Sequence, residues 1–490
     1  MVSLTPRQWF WLALAATLVF RFWLGTALPV TGDEAYFALW GRHPGIGYYD
    51  HPPMVGWLLA PLLLVSDSSW VLRLPAILLP ALLALMVRHA LTTWFARDAD
   101  TANLAALAVL LMPVNVWNVL ITTDTPLAFF AVASLLAFAR QRFLLAGVLL
   151  GLAFLSKYLA VLLGLAYLVW ALAARRPAAF AWVFAASLPF GLLNLYWNWQ
   201  ACWCNVMFNA INRHDDAGLS WATPALYAAS LAYLAAPLFW FAWKGRARLR
   251  AALPRPGEGA LLAAWLVPLL VFALLSPVKR IGLHWLLSFF PALVLTVALA
   301  LERRALVTSL RWFAGLAVLH AAAFVVLLSL PLETWKSRQP YQSLVMLADT
   351  GAVLQPLAAE LQSATLAFES YSMAAVLSFH TGHNVPVFGP GSSHARQDDI
   401  LTDSRGYQGR DLVILRRDEP RLADYRPYFR AVEQRSIEGR GATYYAVLGK
   451  GFDYAAYRAG VLKPVRERWY RIPRALPVGH CYFFERYDLP

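Results

Sequence analysis

Charge is what this sequence has least of. Only 14% of its 490 residues are Asp, Glu, Lys or Arg, against roughly 25% in soluble domains, and 59% are hydrophobic. An ordinary water-soluble globule is therefore excluded. Acidic residues are scarcer than basic ones, 28 against 42, for a net charge of +14. The arginines fall in short connections and in the C-terminal third, which fits anionic headgroups and cytoplasmic-side anchoring and does not call for nucleic acid. Cysteine is nearly absent. Cys202, Cys204 and Cys481 are odd in number and lack zinc-like spacing, which argues against a disulfide framework and a structural metal site while leaving a Cys202 to Cys481 bridge open. There is no phosphate-binding glycine loop, no low-complexity tract and no internal repeat.

What is present is a series of long apolar runs, with 21 Trp, 20 Tyr and 28 Phe supplying rings of the kind that line membrane interfaces. Trp9 to Leu28 reads as a retained first span, because no small-residue cleavage site follows it. Arg7 puts its start on the cytoplasmic side. Val55 to Val65 is too short to cross, contains Pro61 and is expected to lie along the interface. Spans follow at Trp70 to Leu91, Leu104 to Val119 and Pro126 to Phe138. Leu144 to Leu172 has basic residues at both ends, so the charge rule asks for two short helices meeting near Ser156 and Lys157. Phe180 to Tyr196, Trp221 to Trp243, Leu261 to Leu275, Leu286 to Leu301 and Leu310 to Leu330 complete about eleven crossings, with the strongly basic connection Lys244 to Arg255 inside. After Pro331 charges and Gly/Pro punctuation return, and short runs such as Asp411 to Leu415 and Tyr444 to Leu448 read as strands. The expected architecture is a polytopic all-α membrane part, residues 1–331, followed by a soluble α+β domain, residues 332–490, outside the membrane.

This topology, drawn from apolar lengths and basic residues alone, gathers the polar groups on one side. Asp33, Glu34, Asp50 and His51 come from the first outer loop, and Asp124 from the second. Lys157 lies at a hairpin tip, Arg213 and His214 follow an aromatic run, and Lys279, Arg280 and His284 lie in the break SPVKRIGLHW. Ionisable groups at membrane depth are costly and are usually kept for function. Several cations suit a phosphate delivered on a lipid. A carboxylate beside them can take a proton from an attacking hydroxyl, while the cations stabilise charge on a departing phosphate.

The motifs GDEAYF (Gly32 to Phe37), GYYDHPPM (Gly47 to Met54), TTDTPL (Thr122 to Leu127), SKY (Ser156 to Tyr158) and NLYWN (Asn194 to Asn198) occur in order along the chain. With SPVKRIGLHW, SYSMAAVLSFHTG and DLVIL they resemble the bacterial membrane glycosyltransferases of the protein mannosyltransferase and aminoarabinose transferase type, which have the GT-C fold. The resemblance implies a polyprenyl-phosphate sugar donor, a periplasmic site in the bacterial inner membrane, and inverting transfer to a glycan, lipid A or lipopolysaccharide, or a protein hydroxyl. It assigns Asp33 as candidate catalytic base and Glu34 as the neighbour that shapes or polarises the site. His51, Asp124, Lys157, Arg213, His214, Lys279, Arg280 and His284 are then candidate substrate and phosphate contacts. His51 stands where the aminoarabinose transferases carry Lys, which weighs against aminoarabinose as the sugar.

Structural alternatives stand beside these assignments. Asp33 and Glu34 also suit a helix start, Asp124 an N-terminal cap, and Lys157 a snorkelling interface lysine. Lys279 and Arg280 suit surface anchors, and His284 packing beside Trp285. Cys202 and Cys204 read as packing residues. No cofactor is required. A divalent cation is left open, since Asp33, Glu34, Asp50, His51 and His214 offer oxygen and nitrogen ligands without diagnostic spacing. The rival class is a transporter or flippase of a lipid-linked sugar, which would hold the same phosphate but need no base; paired broken helices in inverted repeats would favour it, and no such symmetry is found.

Overall fold

The structure is a computed structural model that describes residues 4–212, 218–253, 255–391 and 394–489. Among these, six helices are long and apolar enough to cross a membrane: Pro6–Ala27, Ser69–Trp94, Pro177–Gln200, Ala222–Lys244, Gly257–Leu275 and Arg303–Ser329. Their outward faces carry large apolar side chains, among them Trp182, Phe184 and Leu192 on one helix and Val318, Leu319 and Val326 on another. Such bare faces require lipid around them. Shorter apolar helices fill the interior. Ala99–Leu110 is buried from Thr101 through Leu110, and Phe290–Ala300 from Phe290 through Leu299. A helix that is apolar on every side belongs at the centre of a bundle.

Local chemistry sets the helix ends. Pro6–Ala27 opens with a capping box, Thr5 on Gln8, and Pro6 at its first position, where a missing N–H costs nothing. The expected span from Leu104 to Val119 is broken: its helix ends at Leu110, and Pro113, which cannot donate to the preceding turn, starts the separate helix Pro113–Trp117. The expected pair within Leu144 to Leu172 is present as Phe143–Ser156 and Val161–Ala173, separated by Lys157 in extended backbone, φ −163° and ψ 142°. The last long helix begins earlier than expected, so that Arg303 and Arg304 lie in its first turn, with Arg303 bonded to Asp100 at 2.8 Å. Arg21, in the middle of the first span, is fully buried and donates to the carbonyls of Ala76, Asn115 and Asn118. It ties three segments together from within.

The C-terminal part carries a four-stranded sheet of β1 (Thr365–Phe368), β2 (Leu412–Arg416), β3 (Phe429–Gly439) and β4 (Ala442–Phe452), in the order β1-β2-β4-β3. β1 and β2 are parallel, with Ala367 opposite Ile414; β2 and β4 are antiparallel, with Ile414 opposite Val447. β3 and β4 form a hairpin closed by Arg440 and Gly441, both at positive φ, 48° and 71°. Two such residues make the turn whose twist matches a hairpin.

This region does not hang free of the helices. One apolar core combines Tyr36, Trp40 and Tyr48 from the first loop with Phe368, Val376, Leu415 and Tyr444 from the tail. Helix Tyr371–Thr381 packs on helix Gly32–Arg42, and a Cβ at Gly32 would lie 2.8 Å from that of Ser372. Glycine is what allows the two backbones to meet. Cys202, read from sequence as a packing residue with a bridge to Cys481 left open, is disulfide-bonded to Cys481 across 279 positions. Cys204 is a buried free thiol.

Candidate active site

Thr31 caps helix Gly32–Arg42 and forms a capping box with Glu34: the Glu34 N–H donates to Thr31 Oγ1 at 3.4 Å, and the Thr31 N–H donates to Glu34 Oε2 at 3.1 Å. Successive helical residues are rotated by about 100°, so the adjacent carboxylates leave the helix in different directions. Asp33 lines an open cavity of about 810 Å³, together with His51, Asp124, Lys157, Lys279 and His284. Glu34 is buried outside it. Arg73, 0% exposed, donates to both Glu34 oxygens at 2.8 Å and to the carbonyls of Gly25, Leu28 and Pro29. Ile121 donates its N–H to Glu34 as well, at 3.1 Å. The Glu34 carboxylate thus locks the end of the first span, the start of helix Gly32–Arg42 and the loop before Asp124 into one arrangement.

The cavity's charges are largely matched. Asp124, in the first turn of Asp124–Ala139 where a helix N-terminus favours negative charge, receives Lys157 Nζ at 2.8 Å on each oxygen. The break in the helix at Lys157 is what lets its side chain reach across. Asp50 is buried and meets Arg396 Nη1 at 3.0 Å, Tyr36 Oη at 3.3 Å and His51 Nδ1 at 3.3 Å. Burial would push its carboxyl up, but the charge and hydrogen bond of His51 and the charge of Arg396 outweigh burial and hold it below the usual carboxylate range. Asp33 differs from both. It is exposed to the cavity, its hydrogen bond is a long one of 3.4 Å from Tyr371 Oη, and it has no ion-pair partner among the described residues. Tyr371 is pushed up to about 12, chiefly by burial, so it donates rather than ionises at neutral pH.

Of the sequence-derived candidates, Asp33, His51, Asp124, Lys157, Lys279 and His284 share the cavity, whereas Glu34 and Arg280 do not line it. Arg213 and His214 lie outside the described residues. Among the described residues no three His, Cys, Asp or Glu side chains gather as a metal site. Sequence reasoning missed Arg396, Tyr371 and Asn209, which also line the cavity. Asn209 donates to the backbone carbonyl of Asp50 at 3.0 Å. Tyr371 lies in the SYSMAAVLSFHTG segment, a signal that was visible; nothing around Arg396 in the sequence marks it.

Residues 50–197 match the dolichyl-phosphate-mannose-protein mannosyltransferase family. Over 183 residues the chain is 32% identical to the lipid A galacturonosyltransferase RgtD of Rhizobium johnstonii. That match covers 34% of this chain and 38% of the relative, so it spans well under half the length of either. Two crystal structures of ArnT from Cupriavidus metallidurans, one bound to undecaprenyl phosphate and one in the apo state, superpose with a TM-score of 0.61 at 16% identity. The superpositions cover 90% of this chain and 98% and 97% of those chains, a likeness of fold. Residues 50–197 are thus similar to the mannosyltransferase family, and the chain as a whole shares the fold of ArnT.

Proposed function

We propose that this protein is an inverting glycosyltransferase that moves a sugar from a polyprenyl-phosphate donor to a hydroxyl of a periplasmic glycan, lipid A or lipopolysaccharide, or protein. The observation that carries the reading is Asp33, a carboxylate open to the cavity and without an ion-pair partner among the described residues, in the same space as Lys157, Lys279, His51 and His284. The undecaprenyl phosphate in the structurally similar ArnT and the lipid A substrate named for the matched relative support the donor and acceptor classes.

In this mechanism the acceptor hydroxyl gives its proton to Asp33 as its oxygen attacks the anomeric carbon. The bond from that carbon to the phosphate oxygen breaks, and the polyprenyl phosphate leaves with the electron pair. Lys157, Lys279, His51 and His284 hold the phosphate and stabilise its growing charge. One displacement inverts the anomeric centre, and a phosphate leaving group needs no paired acid. Glu34 acts by positioning, through Arg73 and Ile121.

Residues 1–331 form the membrane part in this reading and residues 332–490 the periplasmic domain. Six helices are long enough to cross alone, and a count of about eleven crossings also needs the shorter Ala99–Leu110, Asp124–Ala139, Phe143–Ser156, Ala160–Ala173 and Phe290–Ala300. The bond between Cys202 and Cys481 supports the orientation, because structural disulfides form in oxidising compartments such as the periplasm. Lys244, Arg246, Arg248 and Arg250 mark the opposite, cytoplasmic end. The test is the Asp33→Asn variant, compared with the wild type for transfer in membranes: loss of transfer with the fold intact supports the reading, and full transfer sinks it.

A further inference from the structure

Arg396 enters the cavity from the tail, and its guanidinium is less fully matched than that of Arg73. Arg73 has acceptors for its Nε and for both of its Nη atoms. Arg396 has one hydrogen-bonded acceptor among the described residues, Asp50 Oδ2, and its buried Nε has none. A buried, unmatched N–H on a guanidinium is costly and asks for an acceptor. Arg21, Arg416 and Arg417 also have a buried Nε without a partner among the described residues, but none of them lines the cavity.

The guanidinium is fixed on both sides. Its carbon lies 3.9 Å from the Tyr371 ring centroid and 4.8 Å from that of Phe208. The backbone behind it is held as firmly: Gln397 donates its N–H to Tyr36 Oη at 3.1 Å and accepts the Tyr49 N–H at 2.9 Å. Arg396 itself adopts φ 58° and ψ −120°, a conformation that non-glycine residues keep only where their surroundings enforce it. Tyr371, the ring beneath the guanidinium, is also the donor to Asp33. Arg396 therefore sits on the Asp33 side of the cavity, while Lys157 is bound to Asp124.

We propose that Arg396 is a second oxyanion contact, separate from the cations that hold the donor phosphate, and that it selects substrates carrying a carboxylate or phosphate near the reacting hydroxyl or on the transferred sugar. The planar fork of an arginine suits such groups, and the stacking on Tyr371 aligns it with the base. This inference rests on the proposed transferase reading for the direction of the reaction, but not for the presence of the site.

Binding is the test, on the purified full-length protein, by ligand-observed NMR with soluble probes. The donor head is represented by glucuronate 1-phosphate against glucose 1-phosphate, and a phosphorylated acceptor by glucosamine 6-phosphate against glucosamine. Wild type should bind the member carrying the added carboxylate or phosphate, in one of the two pairs, about tenfold or more tightly than its counterpart without it. Arg396→Gln should abolish that preference while leaving glucose 1-phosphate affinity within about twofold, and Arg396→Lys should keep part of it. A preference in the first pair assigns a sugar carboxylate, and in the second an acceptor phosphate. Absence of any preference in wild type, or its survival in Arg396→Gln, overturns the proposal. If Arg396→Gln fails to fold, Arg396→Lys decides alone, and an unchanged preference there refutes the fork. Because the readout is binding, the preference stands or falls independently of whether Asp33→Asn stops transfer.

Discussion

Truncating Glu34 should damage the fold far more than its neighbour Asp33 does, although both lie in one turn of one helix. The Glu34→Ala change removes five hydrogen bonds: two from Arg73 at 2.8 Å, one from the Ile121 N–H at 3.1 Å, and two from Thr31 at 3.1 Å. It also strands the Arg73 guanidinium, 0% exposed, with only the carbonyls of Gly25, Leu28 and Pro29 for company. Breaking a buried pair by removing one partner costs about 3–5 kcal/mol. Glu34→Gln keeps the shape but turns an acceptor into a donor against Arg73 or Ile121, for about 1–3 kcal/mol. The decisive comparison is the double variant Glu34→Leu with Arg73→Met, which leaves no unmatched charge and should recover much of the loss. Thermal unfolding of detergent-purified protein measures all of these. A melting temperature for Glu34→Ala equal to that of wild type, or a double variant as damaged as the sum of its singles, would refute the assignment of Glu34 as the organising ion pair.

Other predictions follow from single features. Gly32→Val should push helix Tyr371–Thr381 away from helix Gly32–Arg42, since its Cβ would meet Ser372 at 2.8 Å; an overpacking cost of about 1–3 kcal/mol should appear as a lower melting temperature and faster proteolysis of the tail. Cys481→Ser should cost about 2–5 kcal/mol, and denatured wild type should alkylate at Cys204 alone until a reductant exposes Cys202 and Cys481. Burial pushes the Asp398 carboxyl up to about 7, above its unfolded value of about 3.9. Its contribution to stability is therefore full below about pH 4 and is lost as pH rises through about 7. Asp398→Asn should flatten that decline, which melting curves across this range would reveal.

The sequence carried the bundle well because lipid imposes a simple rule: apolar length and basic flanks decide crossings, as the break at Lys157 illustrates. It drew attention to Asp33, which lines the cavity, because a carboxylate between apolar segments is conspicuous. What it hid depends on long-range pairing. Arg73 looks like an ordinary interface cation and Arg21 like a lone charge within the first apolar run, and only the fold reveals that one answers Glu34 and the other binds three carbonyls. The Cys202 to Cys481 bridge stayed one open alternative, because no spacing rule joins residues 279 positions apart. Arg396 reaches the site because the tail folds back onto the first loop through a shared core of Tyr36, Phe368 and Tyr444, a contact that periodicity cannot encode.

The central claim is that Asp33 draws the proton from the acceptor as a sugar leaves a polyprenyl phosphate. Its most direct test is mass spectrometry of lipids and glycans from membranes lacking the protein, carrying wild type, and carrying Asp33→Asn at equal folded abundance. The account predicts that one glycan, lipid or protein loses a sugar-sized mass in both the null and the variant, while the lipid-linked donor accumulates. If Asp33→Asn restores the modification as fully as wild type does, and the null alone alters the distribution of the lipid-linked sugar, Asp33 is not the base and a transport function takes the place of transfer.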